Sequence, residues 1–286
     1  MINKNVGLVL EGGAMRGIFT AGVMDVLMEN GIDFPFCVGV SAGAAFGCNY
    51  KSRQPRRVLR YNLTYCREPR FCSFRSLLKT GDIYGADFCY RQIPEVLDPF
   101  NKKVFEENPM EFYVVCSDIE TGEPHYQRLD RVDDACYEWI RASASMPLVS
   151  RIVELDGRKF LDGGVTDSIP LKFAQRHCPR NVVVLTQPRD YVKKPVSMLF
   201  AYRRSLKKYP NMLRAVQNRH QMYNAQRDFV FGQEQAGAAL VICPESALEI
   251  GRVEHKSAVI KKTYELGRQA AEKKLDEIRR FLENDN

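Results

Sequence analysis

Residues 6–10 (Val-Gly-Leu-Val-Leu) carry no polar side chain and end at Glu11 and two glycines, the pattern of a short strand buried on both faces. The texture then changes period. Ile18, Ala21, Gly22, Asp25, Val26 and Glu29 step around a helical wheel, Val23, Met24, Leu27 and Met28 widen its apolar face, and Asn30-Gly31 supplies a stop. A second apolar run at 36–40 precedes another glycine-rich turn. Strand, helix and strand within about forty residues predict a right-handed crossover with parallel strands.

Further along, the pattern predicts a strand at 112–116, a helix at 133–144, a hairpin at 152–161 around Asp156-Gly157, and a buried strand at 182–186. After Pro188, residues 197–227 read as helical and 239–243 as an edge strand. Apolar or small residues at 260, 264, 267, 271, 275, 278 and 282 mark a packed helical stripe over 255–282. The expectation is an α/β body over 1–190 with a mainly helical C-terminal region, 191–286, docked on it.

Two glycine-rich turns carry the chemistry. In Glu11-Gly12-Gly13-Ala14-Met15-Arg16-Gly17 the chain turns from strand to helix with backbone amides free to face an anion. A P-loop would need Lys and then Ser or Thr after the last glycine, where this chain has Ile18 and Phe19. The dinucleotide fingerprint G-x-G-x-x-G is also absent. Gly39-Val40-Ser41-Ala42-Gly43 follows the second strand and opens a helix, which fits a nucleophile elbow holding Ser41 above the sheet edge. Parallel strands end on one edge, so the two turns should meet where such sheets bind ligands. Amides near Gly13 and Ala14, with that of Ala42 at the helix start, are then candidates for holding an oxyanion.

Serine needs a base. His125, His177, His220 and His255 lie outside glycine-framed turns and fit packed or surface roles. Asp162 ends an apolar strand at Phe160-Leu161-Asp162-Gly163-Gly164, although Asp-Gly is also an ordinary turn. An aspartate is a weak base unless burial raises its pKa. Such chemistry suits esters and thioesters better than amides.

These segments, in this order, resemble the bacterial patatin-like phospholipases. The likeness covers roughly residues 5–190 and includes Ala142-Ser143-Ala144-Ser145-Met146-Pro147. The resemblance implies a three-layer α/β/α fold with a mainly parallel sheet. It also implies a Ser41/Asp162 dyad without histidine, an oxyanion hole at Gly12, Gly13 and Ala14, and lipid acyl hydrolysis with no cofactor or metal. Ala14 departs from the family, many of whose members have glycine there. Arg16 is a candidate anion contact, with a surface salt bridge as the ordinary alternative. An acyltransferase using the same acyl-enzyme, or a catalytically silent lipid-binding protein, fits the same residues.

Charge and cysteine content add the setting. The 286 residues carry 42 Lys and Arg against 35 Asp and Glu, which permits anionic partners. Residues 51–79 hold nine Lys or Arg and one acid, Glu68, interleaved with Leu59, Tyr61, Leu63, Phe71, Phe74 and Leu77; residues 197–227 hold seven and no acid. Basic, aromatic-bearing surface suits peripheral docking on anionic head groups, a solvated helix face being the plain alternative. No nucleic-acid module is recognisable. Nine scattered cysteines without a C-x-x-C pair read as reduced thiols, and with no signal peptide or spanning segment the expected location is the cytoplasm, with contact at the inner membrane surface.

Overall fold

The computed structural model describes residues 5–283. Among these, eight strands form one sheet: β1 (Val6–Leu10), β2 (Phe36–Val40), β3 (Glu111–Asp118), β4 (Pro124–Arg128), β5 (Val153–Leu155), β6 (Arg158–Asp162), β7 (Arg180–Val184) and β8 (Ala239–Ile242). The order is β5-β6-β3-β2-β1-β7-β8, with β4 also paired to β3. Strands β8, β7, β1, β2 and β3 are parallel, whereas β4 and β6 run antiparallel to β3 and β5 antiparallel to β6. The helices are α1 (Gly17–Glu29), α2 (Ala42–Lys51), α3 (Arg57–Tyr65), α4 (Phe74–Thr80), a π-helical segment (Phe88–Leu97), α5 (Lys102–Glu107), α6 (Asp134–Ser143), α7 (Leu171–Ala174), α8 (Leu199–Ser205), α9 (Pro210–Gln235), α10 (Ser257–Lys273) and α11 (Leu275–Glu283).

The strand period of two divides the core. Val6, Leu8 and Leu10 pack in one apolar cluster with α1, α2, α6 and α10. Val9, Val38, Val40, Val183 and Val241 pack in the other, with α7 and α9. The result is the mainly parallel three-layer α/β/α arrangement expected from the sequence.

Helix α1 is buried from Gly17 to Leu27, more completely than its amphipathic pattern suggests, because α10 covers its outer side. The two backbones touch. A methyl group at Gly22 would lie 2.2 Å from the Tyr264 carbonyl oxygen, and one at Gly267 would lie 2.0 Å from that of Phe19. The same packing encloses Asp25, whose Oδ2 accepts from Tyr264 Oη at 2.7 Å and the Arg56 amide at 2.9 Å. Burial raises this carboxyl from 3.8 to about 6 against the pull of those donors. The folded state therefore holds the proton more tightly than the unfolded chain, and stability falls as pH rises from 3.8 to about 6. Asp25→Asn keeps an acceptor for Tyr264 and removes the ionisation cost. Thermal melts at pH 7.5 should show a gain of about 1–3 kcal/mol and a flatter profile across that window; a lower melting temperature would contradict this.

Two stretches whose periodicity predicts continuous helix are each divided in two. Residues 197–227 break at 206–209, because Pro210 lacks an amide and disfavours helical backbone at Tyr209, so it starts a new helix instead. The 255–282 stripe breaks at Lys274. Strand β4 has no counterpart among the predicted elements: its Pro-His-Tyr-Gln-Arg sequence does not alternate, and its pairing with β3 creates it. No described helix is long and apolar enough to cross a membrane, and the nine cysteines are free thiols.

Candidate functional site

Strand β2 ends at Val40 and α2 begins at Ala42, leaving Ser41 alone to make the turn. Its backbone has φ 55° and ψ −119°, a region that side chains rarely occupy and that elbows of this type require. Close approach makes the bend possible. A methyl group at Gly43 would lie 2.3 Å from the Leu10 carbonyl oxygen, and one at Gly12 would lie 2.8 Å from Ser41 Cβ. The two glycine-rich turns are thereby pressed together at the carboxyl ends of β1 and β2.

Asp162, at the end of β6, arrives from 121 residues away. Ser41 Oγ donates to its Oδ2 at 2.7 Å, while the Gly164 amide donates to Oδ1 at 2.7 Å. Both side chains are buried. Desolvation raises the Asp162 pKa above its ordinary value, opposed by Arg219, the Ser41 and Gly164 hydrogen bonds and Arg252. The pair is thus a hydroxyl aimed at a carboxylate that is more basic than one in water.

The segment 142–147 holds both partners, a role its sequence does not reveal. Ser143 Oγ accepts from the Ser41 amide at 3.0 Å and donates to the Val115 carbonyl at 2.6 Å. The Ser145 carbonyl accepts from the Asp162 amide at 2.8 Å. Ser117 Oγ donates to the Asp162 carbonyl at 2.7 Å. The resemblance singles out residues 142–147, but these contacts, made from a helix end, a loop and a strand, are long-range and leave no local signal.

The amides of Gly12, Gly13 and Ala14 have no hydrogen-bond acceptor among the described residues. Ala42 opens α2, so its amide has none within that helix either. Ala14 adopts φ 50°, the left-handed region that favours glycine, which explains why glycine is common there and what alanine costs, about 1–2 kcal/mol. Beside the elbow lies an apolar cavity lined by Ser41, Ala45, Phe46, Tyr61, Phe71 and Met146, among others. Arg16 forms no ion pair among the described residues, and its Nε is buried without a partner. The surface salt bridge considered for it is not formed.

The histidines lie elsewhere. His125 stacks on Trp139, with burial and Arg158 lowering its pKa. His177 stacks on Phe36. The His220 ring meets the Gln217 carbonyl, and that of His255 meets the Cys66 carbonyl. None is hydrogen-bonded to Ser41 or Asp162.

Fold and site together define a class: a three-layer α/β protein that presents an elbow serine hydrogen-bonded to an aspartate beside free backbone amides. The chain belongs to the patatin-like phospholipase family, whose model matches residues 8–174. Residues 209–283 match a second model, a domain of unknown function (DUF6363). Among curated relatives, the uncharacterized protein YjjU of Escherichia coli is 30% identical over 197 residues, covering 63% of this chain and 51% of that protein. The lysophospholipase nte1 of Aspergillus terreus is 29% identical over 180 residues, 59% of this chain and 11% of that one. The matches therefore span about half or less of these relatives' lengths. In fold, the chain is similar to VipD from Legionella pneumophila, with TM-score 0.50 and 12% identity, covering 96% of this chain and 67% of that one.

Proposed function

We propose that the protein is a lipid acyl hydrolase of the phospholipase A or esterase type, which cleaves carboxylic esters through a Ser41/Asp162 dyad and an acyl-enzyme. The observation that carries this reading is the 2.7 Å hydrogen bond from Ser41 Oγ to Asp162 Oδ2. Asp162 takes the hydroxyl proton as Ser41 Oγ attacks the ester carbonyl, and the developing oxyanion is held by amides of Gly12, Gly13 and Ala14. The tetrahedral intermediate expels the alcohol, which takes the proton from Asp162. Asp162 then deprotonates a water that attacks the acyl-enzyme, and Ser41 leaves reprotonated. The apolar cavity beside Ser41 accommodates the acyl chain. In this reading residues 1–190 form the catalytic unit and 191–286 the region docked on it. Incubating purified protein with p-nitrophenyl esters and mixed phospholipids tests the activity; release of fatty acid supports it, and no release from any member of the panel contradicts it.

An anionic membrane surface is the proposed source of substrate. Phe74 and Leu78, one turn apart on α4, are 77% and 88% exposed, and Arg67, Arg70, Arg75 and Lys79 surround them in sequence. Phe71 and Tyr84, on either side of α4, line the cavity that opens at Ser41. Apolar tips within a basic collar match a bilayer bearing anionic head groups. Phe74→Ser combined with Leu78→Ser should weaken sedimentation with phosphatidylglycerol vesicles by about tenfold or more, as expected for removing two buried apolar side chains. Unchanged sedimentation would remove this face from consideration.

A further inference from the structure

Four cations lie around the Ser41/Asp162 region, and among the described residues none of them forms an ion pair. Arg16 follows the glycine turn, and its Nε is buried and unpartnered. Arg219, on α9, donates from Nε to the Gly164 carbonyl at 2.6 Å, two residues from Asp162. Lys193, in the segment after β7, sits with Nζ 4.5 Å from the Tyr223 ring centroid, and its backbone is clasped by Asn224 at 2.9 and 3.1 Å. Arg252 lies before α10, and its carbonyl accepts from Tyr84 Oη at 2.7 Å, tying it to a residue that lines the cavity.

Among the described residues no Asp or Glu forms an ion pair with any of the four, although many other Arg and Lys side chains in this protein are paired. Glu11 is the nearby acid, and its oxygens are already taken by Tyr223 Oη at 2.6 Å and by the Thr186 amide and hydroxyl. Burial lowers the Lys193 pKa to about 8, with Arg219, Arg16 and Arg252 adding to the effect against Glu11. The Asp162 carboxylate likewise feels Arg219 and Arg252. Two carboxylates, Glu11 and Asp162, leave the four cations in excess. None of the four lines the apolar cavity, so the elbow stands between an apolar space and a cationic one.

We propose that Arg16, Lys193, Arg219 and Arg252 form a subsite for a phosphate monoester on the polar end of a lipid substrate, selecting net-anionic over zwitterionic or neutral head groups. The proposal rests on the Ser41/Asp162 reading for its orientation: acyl chain in the cavity, ester at the elbow, phosphate among the cations. Three of the four residues lie beyond residue 190, so the C-terminal region sets head-group selection. Arg16, Lys193 and Arg219 are half-buried and Arg252 is exposed; such cations without an ion-pair partner gain most from a doubly charged oxyanion, whereas a choline phosphate brings its own cation into the same space.

The test uses ligands without an ester, so it reads binding alone. Affinities of the wild-type protein are measured by calorimetry for ether-linked hexadecylglycerol phosphate, hexadecylglycerol phosphocholine and hexadecylglycerol, with inorganic phosphate as a fourth ligand. The phosphate monoester should bind about tenfold or more tighter than the other two lipids, the scale of one or two charge-assisted contacts. Lys193→Gln combined with Arg252→Gln should remove most of that gap. Both side chains sit on connecting segments, and melting curves check that the variant folds. Equal affinities for the three lipids, or a gap that survives in the double variant, would overturn the subsite. Inorganic phosphate binding as tightly as the lipid phosphate would overturn its assignment to a head group. If the gap appears but the protein cleaves no ester, the subsite stands and the hydrolase reading fails; if the protein is active but shows no gap, the hydrolase reading stands and the subsite fails.

Discussion

Asp162→Asn is expected to lower kcat/KM for an activated ester by about two to four orders of magnitude, the scale of losing a general base. The amide has nearly the same shape, and its oxygen can keep the bond from the Gly164 amide that Oδ1 now accepts. Its nitrogen would then face Ser41 Oγ as a donor, in the place of an acceptor that takes the proton. Stability should move little or rise, because the aspartate's raised pKa means that the fold opposes its charge. A variant that melts normally but turns over slowly separates a chemical role from a structural one. The wild-type pH profile carries the same information. Activity requires ionised Asp162, so it should fall as pH decreases through a value above the ordinary 3.8 of an aspartate. Near-normal turnover in Asp162→Asn would return the base role to another group.

Ser41→Ala should have the larger effect, a loss of about 10⁴-fold or more toward the uncatalysed background, since it removes the hydroxyl bonded to the Asp162 carboxylate and with it the acyl-enzyme. The backbone makes a second, independent forecast. At φ 55° alanine is as strained as serine, whereas glycine is at ease there. Ser41→Gly should therefore melt higher than Ser41→Ala, by about 1 kcal/mol. Equal melting temperatures would show that the elbow is not held against its own preference.

Much of the site is legible in the sequence because its parts are local. Gly39-Val40-Ser41-Ala42-Gly43 announces a bend through its glycines, and two short apolar runs suffice to predict that β1 and β2 lie parallel with both turns on one edge. Asp162 is visible from its place at a strand end before Gly163 and Gly164. The supporting contacts are not. Ser143 holds the Ser41 amide across 102 positions, and the partner it serves leaves no mark on the sequence around it. The π-helical segment carries Pro94 inside it and follows no regular period, so pattern reading passes over it. The burial of α1 on its outer side depends on Gly267, a residue whose importance lies in the carbonyl of Phe19. The cationic cluster is hidden for the same reason. Lys193, Arg219 and Arg252 stand in no motif and come from three separate segments, whose relation to the site only the fold supplies.

The most direct measurement is the rate and location of covalent labelling by a fluorophosphonate, followed by intact mass and peptide mapping. A single adduct on Ser41 is expected in the wild-type protein, forming about a hundredfold or more slowly in Asp162→Asn, as loss of base assistance dictates. An adduct on another residue, no adduct at all, or equal rates in the two proteins would contradict it.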